Sequence, residues 1–281
     1  MDIDLFERSI KHIKNTHQVE LFESIPIWEK SFGKKEKIAT IMFDDGYKDN
    51  IEYAAPILSK YGINASFYVV TNCIDNNIPT WTYIIDDFIQ ENSKNIILNY
   101  EFLPQELKYL ELDNQKKKKL YSKKIKSFLK STSHQNRAQI VDFFSQKINL
   151  NSKELMMSWK DLMELKNQGH YVGSHTINHT AQATMEIEEE IIKELEGSKK
   201  VILSKLGHDP ITISYPVGSF SDSVKKISKK CGYKYGLVVK QDIFETKEID
   251  FFEIPRIELY NESWWKTKMR ISNSLEEIKK L

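Results

Sequence analysis

The sequence is poor in cysteine, in net charge and in long apolar runs, and each shortage excludes a class of protein. Its two cysteines, Cys73 and Cys231, lie far apart, so neither a disulfide scaffold nor a cysteine zinc knuckle is expected. Its 41 basic and 40 acidic residues nearly cancel, whereas a general nucleic-acid-binding protein carries a strong basic excess. No run of about 18 apolar residues predicts a transmembrane helix. The mixed-charge N-terminus lacks a signal-peptide pattern, so a cytosolic location is expected.

The sequence does contain an alternation of β-rich and helical segments. Strands are predicted over residues 37–43, 65–70, 170–173, 211–215, 235–239 and 251–259. Helices are predicted over residues 51–58, 159–168, 185–206 and 221–231. Such alternation implies parallel βαβ units, and hence an α/β protein built as a barrel or as a doubly wound sheet.

The segment from about residue 79 to 157 interrupts this alternation. It is rich in Lys, Asn and Gln, and its pattern predicts two or three helices and no strand. We interpret it as a helical insertion between early barrel units of one domain that spans 1–281. The lysine run at 116–119 is typical of a solvated helix face, with an anionic-ligand patch as the alternative.

The first chemical motif, Phe43-Asp-Asp-Gly-Tyr47, closes the first predicted strand. Two adjacent carboxylates repel each other, so a tight turn that holds both needs a cation, a proton or solvent nearby. Gly46 permits the turn, and in an α/β barrel the carboxyl ends of the strands form the active face. Taken alone, the Asp-Asp-Gly sequence also fits an ordinary solvated turn.

A second and a third motif follow later predicted strands. In the second, His175 and His179 have a His-x-x-x-His spacing that would place both imidazoles on one side of a helical turn, where they can bind one metal ion. With a carboxylate from the first motif they would make a His₂Asp site with an open coordination position, as catalytic zinc requires. In the third, Pro216 and Gly218 flank Val217, whose turn N–H is a candidate oxyanion donor.

In this order, the three motifs resemble those of the polysaccharide deacetylase family, the carbohydrate esterases that share the chitooligosaccharide-deacetylase homology domain. The likeness covers about residues 37–259 and is interrupted by the insertion. The resemblance implies a distorted, incomplete (β/α) barrel and metal-dependent removal of an acyl group, usually acetyl, from an amino sugar. Zinc is the first choice of metal, because two imidazoles and one carboxylate suit it.

The resemblance also implies roles for individual residues. The metal ligands would be Asp45, His175 and His179. Asp44 would be the general base that takes a proton from the attacking water, and the turn amide of Val217 would share the developing negative charge. Tyr47, beside the carboxylates, and Tyr215, lining the pocket, are expected to bind the sugar. From its position on the loop after the second predicted strand, Trp81 is the candidate for stacking on a sugar ring, with a packing role in the core as the alternative.

The sequence departs from the family pattern at two places. Many members have an arginine in the third motif, where this chain has Ser214. Only four of its basic residues are arginine, and one of them, Arg256, is predicted to supply the missing guanidinium from the last strand; an ordinary surface arginine is the alternative.

Members also have a histidine near the final strand as general acid, but no histidine follows His208 here, so no acid is assigned. Two other functions therefore stay open. One is a catalytically weak barrel that binds carbohydrate or a partner enzyme. The other is hydrolysis of a non-sugar amide such as a formyl or ureide group.

Overall fold

The computed structural model of the chain describes residues 1–25, 37–148, 154–244 and 250–279. The helices are α1 (Ile3–Thr16), α2 (Ala55–Lys60), α3 (Thr71–Asn76), α4 (Trp81–Glu91), α5 (Gln105–Lys108), α6 (Gln115–Ser131), α7 (His134–Ser145), α8 (Trp159–Asn167), α9 (Glu188–Leu206), α10 (Asp222–Lys230), α11 (Trp264–Ile271) and α12 (Ser274–Lys279). The strands are β1 (Gln18–Val19), β2 (Ile38–Ala39), β3 (Met42–Phe43), β4 (Ser66–Val69), β5 (Ile96–Ile97), β6 (Tyr109–Leu110), β7 (Tyr171–Ser174), β8 (Thr212–Ser214) and β9 (Tyr235–Leu237). Across these ranges, no helix is both long enough and apolar enough to cross a membrane.

Five parallel strands form the central curled sheet, in the order β3-β4-β7-β8-β9. The spatial order follows the chain order, so each new strand is added beside the previous one, as in a (β/α) barrel. This confirms the predicted α/β class with an incomplete barrel. All five strands end at the same edge of the sheet, which brings the residues after Phe43, Ser174 and Ser214 together.

The predicted strand at 251–259 is wrong in its length. Only Ile254 forms a bridge, parallel to Leu237 of β9. Its N–H donates to Gly236 and its carbonyl accepts from Val238, both at 2.9 Å. Pro255 follows directly and has no N–H to continue a ladder, so the chain runs on beside β9 without regular pairing.

The two faces of β4 differ in chemistry. Phe67 and Val69 point into the apolar core between the sheet and its helices. Ser66 and Tyr68 point to the opposite face, where their hydroxyls donate to the carboxylate of Glu23 at 2.6 and 2.7 Å. The concave side of the sheet therefore holds a polar network instead of a purely apolar filling.

The insertion between β4 and β7 comprises helices α4 to α7 and has its own apolar core. Phe88, Ile125, Leu129, Ile140 and Phe144 of that core are each at most 1% exposed. The prediction that the segment has no strand is wrong, because β5 and β6 pair as a short antiparallel ribbon. Residues 149–153 of the predicted insertion lie outside the described residues.

One lysine of the run at 116–119 also departs from the prediction of a solvated face. Lys118 is only 7% exposed, and its Nζ donates to the carbonyl of Gln90 at 2.7 Å. This contact ties α6 to the C-terminal end of α4, where carbonyl groups lack partners within the helix.

Candidate metal centre

The first motif forms a strained turn at the end of β3. Asp45 has φ +73°, and the N–H of Gly46 donates to the carbonyl of Asp44 at 2.9 Å. A bond between residues i and i+2 around a positive φ defines a rare, strained γ-turn. Gly46 itself has φ +90°, and a methyl group there would lie 2.9 Å from Cδ1 of Ile74. Strain of this kind persists only where the surroundings enforce it, and it concentrates at functional sites.

The second motif is not helical, which corrects the prediction. His175 directly follows β7, and the chain then passes through left-handed conformations at Thr176 (φ +68°) and His179 (φ +56°). An irregular loop, and not one face of a helical turn, therefore brings the two imidazoles together, with ring centroids 5.0 Å apart.

A buried carboxylate of α9 holds this loop. Oε2 of Glu194 accepts the backbone N–H groups of Ile177 and Asn178 at 3.0 and 2.9 Å, and Oε1 accepts the Asn178 side-chain amide at 2.6 Å. Glu194 is only 7% exposed. Sequence reasoning missed this residue, because on α9 it looks like one of several glutamates on a charged helix.

The three predicted ligands converge on one point. Oδ1 of Asp45 lies 3.4 Å from Nε2 of His175 and 3.3 Å from Nε2 of His179. Tetrahedral zinc with bonds of about 2.0–2.1 Å separates its ligand atoms by about 3.4 Å, so these two spacings fit such an ion. The imidazoles are buried, whereas the Asp45 side chain is 24% exposed and marks the open side.

The hydrogen bonding of His175 supports the same conclusion. Its Nδ1 lies 2.7 Å from the carbonyl of Ser214, which can only accept, so Nδ1 carries the proton. In a neutral imidazole Nε2 then presents a lone pair toward the Asp45 carboxylate. Two acceptors facing each other need a proton or a cation between them, and a backbone carbonyl behind a metal-binding histidine is a common arrangement. The donor set therefore fits a divalent cation.

The electrostatics of Asp45 and His179 agree with this arrangement, whereas for His175 burial lowers the pKa but the carboxylates of Asp44 and Asp45 outweigh it and raise that pKa. Burial raises the pKa of Asp45, but the two imidazoles outweigh it and hold that pKa below its ordinary value. Burial lowers the pKa of His179, and the nearby carboxylates raise it by less, so this pKa stays below its ordinary value. At neutral pH the site thus offers an ionised carboxylate and a neutral imidazole, the protonation states in which both bind metal.

Asp44 is held by a separate group of residues. Nη1 and Nη2 of Arg256 donate to its two carboxylate oxygens at 2.9 and 2.8 Å, and the Ser214 hydroxyl donates to Oδ2 at 3.1 Å. Burial raises the pKa of Asp44, but Arg256 and then His175 more than offset this, so its pKa lies below the ordinary value. The side chain is 29% exposed and stays open to a reactant.

Arg256 reaches this position from the segment after β9. Its backbone N–H donates to Lys240 at 3.1 Å, which fixes the chain beside the extension of β9. Nη2 also donates to the Ser214 hydroxyl at 2.9 Å. The serine at the family's arginine position is thus part of the same network, a contact that no local sequence pattern indicates.

The structure places the predicted sugar-binding residues in different environments. Tyr215 is fully buried and stacks on Phe220, so the prediction that its side chain lines a pocket is wrong. Trp81 is 7% exposed within the core of the insertion, which leaves no ring face for a sugar. Val217 has φ +52° and packs its side chain against that core. Tyr47 stays half-buried beside the carboxylates, with its hydroxyl 2.7 Å from Oγ1 of Thr80.

Two further histidines lie near the start of β7, away from the carboxyl end of the sheet. Nδ1 of His170 accepts the N–H of Ala65 at 3.0 Å, and Nε2 of His208 lies 2.7 Å from the carbonyl of Val172. Both imidazoles thus bind backbone groups of the sheet, and neither occupies the place of a general acid.

Comparison with known proteins gives one family. The sequence model of the family "Polysaccharide deacetylase" matches residues 33–236. A poly-β-1,6-N-acetyl-D-glucosamine N-deacetylase of Staphylococcus aureus (strain MSSA476) is 29% identical over 109 residues, 38% of this chain and 37% of that protein. The putative polysaccharide deacetylase YxkH of Bacillus subtilis (strain 168) is 20% identical over 205 residues, 73% of this chain and 46% of that protein. The chain thus spans less than half the length of these curated relatives.

Solved structures show the same fold. The Streptococcus pyogenes deacetylase PplD, in complex with acetate, superposes with a TM-score of 0.60 at 18% identity, over 94% of this chain and 86% of that one. A polysaccharide deacetylase from Bacillus cereus gives a TM-score of 0.60 at 19% identity, over 96% of this chain and 61% of that one. The described architecture is therefore shared well beyond the site.

Proposed function

The chain belongs to the polysaccharide deacetylase family, and we propose that it is a metal-dependent hydrolase that removes the acetyl group from an N-acetylated saccharide. One observation carries the proposal. Three ligand atoms, from Asp45, His175 and His179, lie within 4.8 Å of one another, and the Asp44–Arg256 pair lies directly beside them. A cation site with an adjacent, partly exposed carboxylate is what metal-assisted amide hydrolysis requires.

Asp44 acts as the general base in this proposal. Its carboxylate is ionised, open on one side, and oriented by Arg256 and Ser214 so that a free lone pair can take a proton from the attacking water. A divalent cation held by the three ligands supplies Lewis acidity toward the acyl carbonyl and the water. The backbone N–H of Val217, after β8, is the proposed donor to the oxygen on which negative charge develops.

Zinc is the proposed metal and an amino sugar carrying an N-acetyl group the proposed substrate. Two imidazoles, each with its Nε2 3.3–3.4 Å from the Asp45 carboxylate, support zinc. Similarity to a poly-β-1,6-N-acetyl-D-glucosamine N-deacetylase supports the substrate class. A cytosolic location and a single domain with an insertion stay predictions from the sequence.

The test measures zinc content and acetate release on the same preparations. Chelator-stripped protein is reloaded with zinc and incubated with β-1,6- and β-1,4-linked N-acetylglucosamine oligomers. Wild type should bind zinc stoichiometrically and release acetate, His175→Ala should do neither, and His208→Gln, at the other end of β7, should do both. Full zinc content in His175→Ala would refute the ligand assignment. Zinc and glycan binding without acetate release would favour a binding barrel.

A further inference from the structure

We propose that Trp81 and Arg137 of the insertion are positioning residues that fix the loop carrying the second imidazole, His179. The inference rests on the proposed function, because it concerns the metal ligand of that site. The insertion also contacts the site through the packing of Val217 and through Thr80, whose hydroxyl lies 2.7 Å from that of Tyr47, but its core is separate from the core under the barrel strands. The proposal therefore gives this segment a task in the metal centre.

Trp81 makes the direct contact. Its indole Nε1 donates to the backbone carbonyl of His179 at 3.1 Å, a buried hydrogen bond between residues 98 positions apart. The two rings also lie near each other, with centroids 6.2 Å apart. The indole thus holds the main chain of a ligand residue, while its own ring is locked in the core of the insertion.

Arg137 makes a second contact with the same loop, at Thr184, five residues after His179. Its Nη1 donates to the carbonyls of Leu129 and Thr132 at 2.9 and 3.2 Å, at the C-terminal end of α6. Its Nη2 donates to the hydroxyl of Thr184 at 3.3 Å. Thr184 in turn donates to the carbonyl of Ala181 at 2.7 Å, two residues after His179.

Arg137 and Trp81 also support each other. The guanidinium lies 5.9 Å from the centre of the Trp81 ring, within the range of a cation–π contact, and Arg137 is only 3% exposed. The two side chains therefore form one buried unit that contacts the loop at both ends of residues 179–184.

The backbone of His179 needs such support. Its φ of +56° is unfavourable for a residue with a side chain, by about 1–2 kcal/mol. Nδ1 of His179 has no hydrogen-bond partner among the described atoms, whereas Nδ1 of His175 is fixed by Ser214. Glu194 holds residues 177 and 178 from the side of α9. From the other side, the orientation of the second imidazole depends on its main chain, and Trp81 fixes that main chain.

The experiment removes the indole N–H and keeps an aromatic ring, in Trp81→Phe. Zinc affinity is measured by competition with a chromophoric chelator, and stability by urea unfolding of the zinc-free protein. We expect about a tenfold weaker zinc affinity, the range found when the groups that orient metal ligands are lost. The matched control is Trp159→Phe, which loses an indole bond to Asp75 and should bind zinc as wild type does.

A second variant keeps the test valid if Trp81→Phe does not fold. Thr184→Val removes the hydroxyl between Arg137 and Ala181 at a half-exposed position and should weaken zinc affinity several-fold. The proposal is overturned if every one of these variants that folds binds zinc as tightly as wild type. It is also overturned if Trp159→Phe loses as much zinc affinity as they do. If wild type binds zinc but releases no acetate, the proposed function fails while the zinc measurements still decide the positioning role.

Discussion

The guanidinium of Arg256 binds both carboxylate oxygens of Asp44, at 2.9 and 2.8 Å, across 212 positions of sequence. The segment after β9 thereby places a cation beside the first motif, where the third motif has only Ser214. Two parallel bonds from a planar guanidinium fix the direction of a carboxylate as well as its charge. Asp44 is consequently presented in one orientation toward the three proposed metal ligands.

Replacement of this arginine by lysine should slow the reaction without removing the metal. Arg256→Lys keeps the charge but loses at least one charge-assisted hydrogen bond of about 1.5–3 kcal/mol, so kcat should fall about 10- to 100-fold. Zinc content should stay at the wild-type value. The control is Arg270→Lys, since Arg270 donates to Glu262 at 2.8 and 3.1 Å elsewhere in the chain. An unchanged kcat in Arg256→Lys would contradict the orienting role.

Loss of the Glu194 carboxylate should loosen the loop between the two imidazoles. In Glu194→Ala two partly buried backbone N–H groups lose their acceptor, at about 1 kcal/mol each in the free energy of unfolding. Zinc affinity should fall about tenfold, because the loop orients both ligands. Glu194→Gln keeps one acceptor oxygen, so its zinc affinity should lie between those of wild type and Glu194→Ala. Glu190→Ala, on the exposed first turn of α9, is the control and should bind zinc as wild type does. The idea is wrong if Glu194→Ala binds zinc normally.

The turn at the first motif predicts that alanine destabilises the protein more at Gly46 than at Gly62. Gly46 and Gly62 both have positive φ, so alanine strains the backbone at each by about 1–2 kcal/mol. Only at Gly46 does the added methyl meet neighbours, at 2.9 Å from Ile74 and 3.1 Å from Val69, whereas nothing lies within 4 Å at Gly62. Urea unfolding should show Gly46→Ala less stable than Gly62→Ala by about 1–3 kcal/mol. Equal losses of stability in the two variants would show that Ile74 and Val69 move aside for the methyl group at position 46 at no cost in free energy.

Glu23 should give stability a dependence on pH. Burial raises the pKa of Glu23, which hydrogen bonds from Ser66 and Tyr68 offset only in part. A carboxyl group with a raised folded-state pKa favours its neutral form, so its ionisation costs stability as the pH rises above the unfolded-state pKa.

Glu23→Gln stays neutral throughout this range and therefore serves as the reference. Relative to this variant, wild type should lose stability as the pH rises above the ordinary pKa of a glutamate, measured by urea unfolding at each pH. Glu52→Gln, at an exposed position, is the control for the substitution itself. If wild type instead gains stability relative to Glu23→Gln as the pH rises, the hydrogen bonds outweigh burial in setting the pKa of Glu23.

The sequence indicated the sheet and the convergence of the three candidate ligands because those signals are local. Apolar runs that end in Asp44-Asp45 and Ser174-His175 mark strand ends, and parallel strands deliver their ends to one edge. The loop conformation around His179 was not predictable, since a spacing of four residues fits a helix and an irregular loop equally well. Trp81 was misplaced for a related reason. Its neighbours in the core of the insertion come from α6 and α7, far along the chain.

The ligand set also links cation binding to folding. His175 stands about 130 positions after Asp45, so an unfolded chain rarely brings the two within reach of one ion. A cation that binds only the folded form shifts the folding equilibrium by mass action, by about 2.7 kcal/mol at a free concentration 100 times its dissociation constant. The melting temperature should then rise with the logarithm of the free zinc concentration. A chelator that removes the zinc should lower the free energy of unfolding by the same binding contribution.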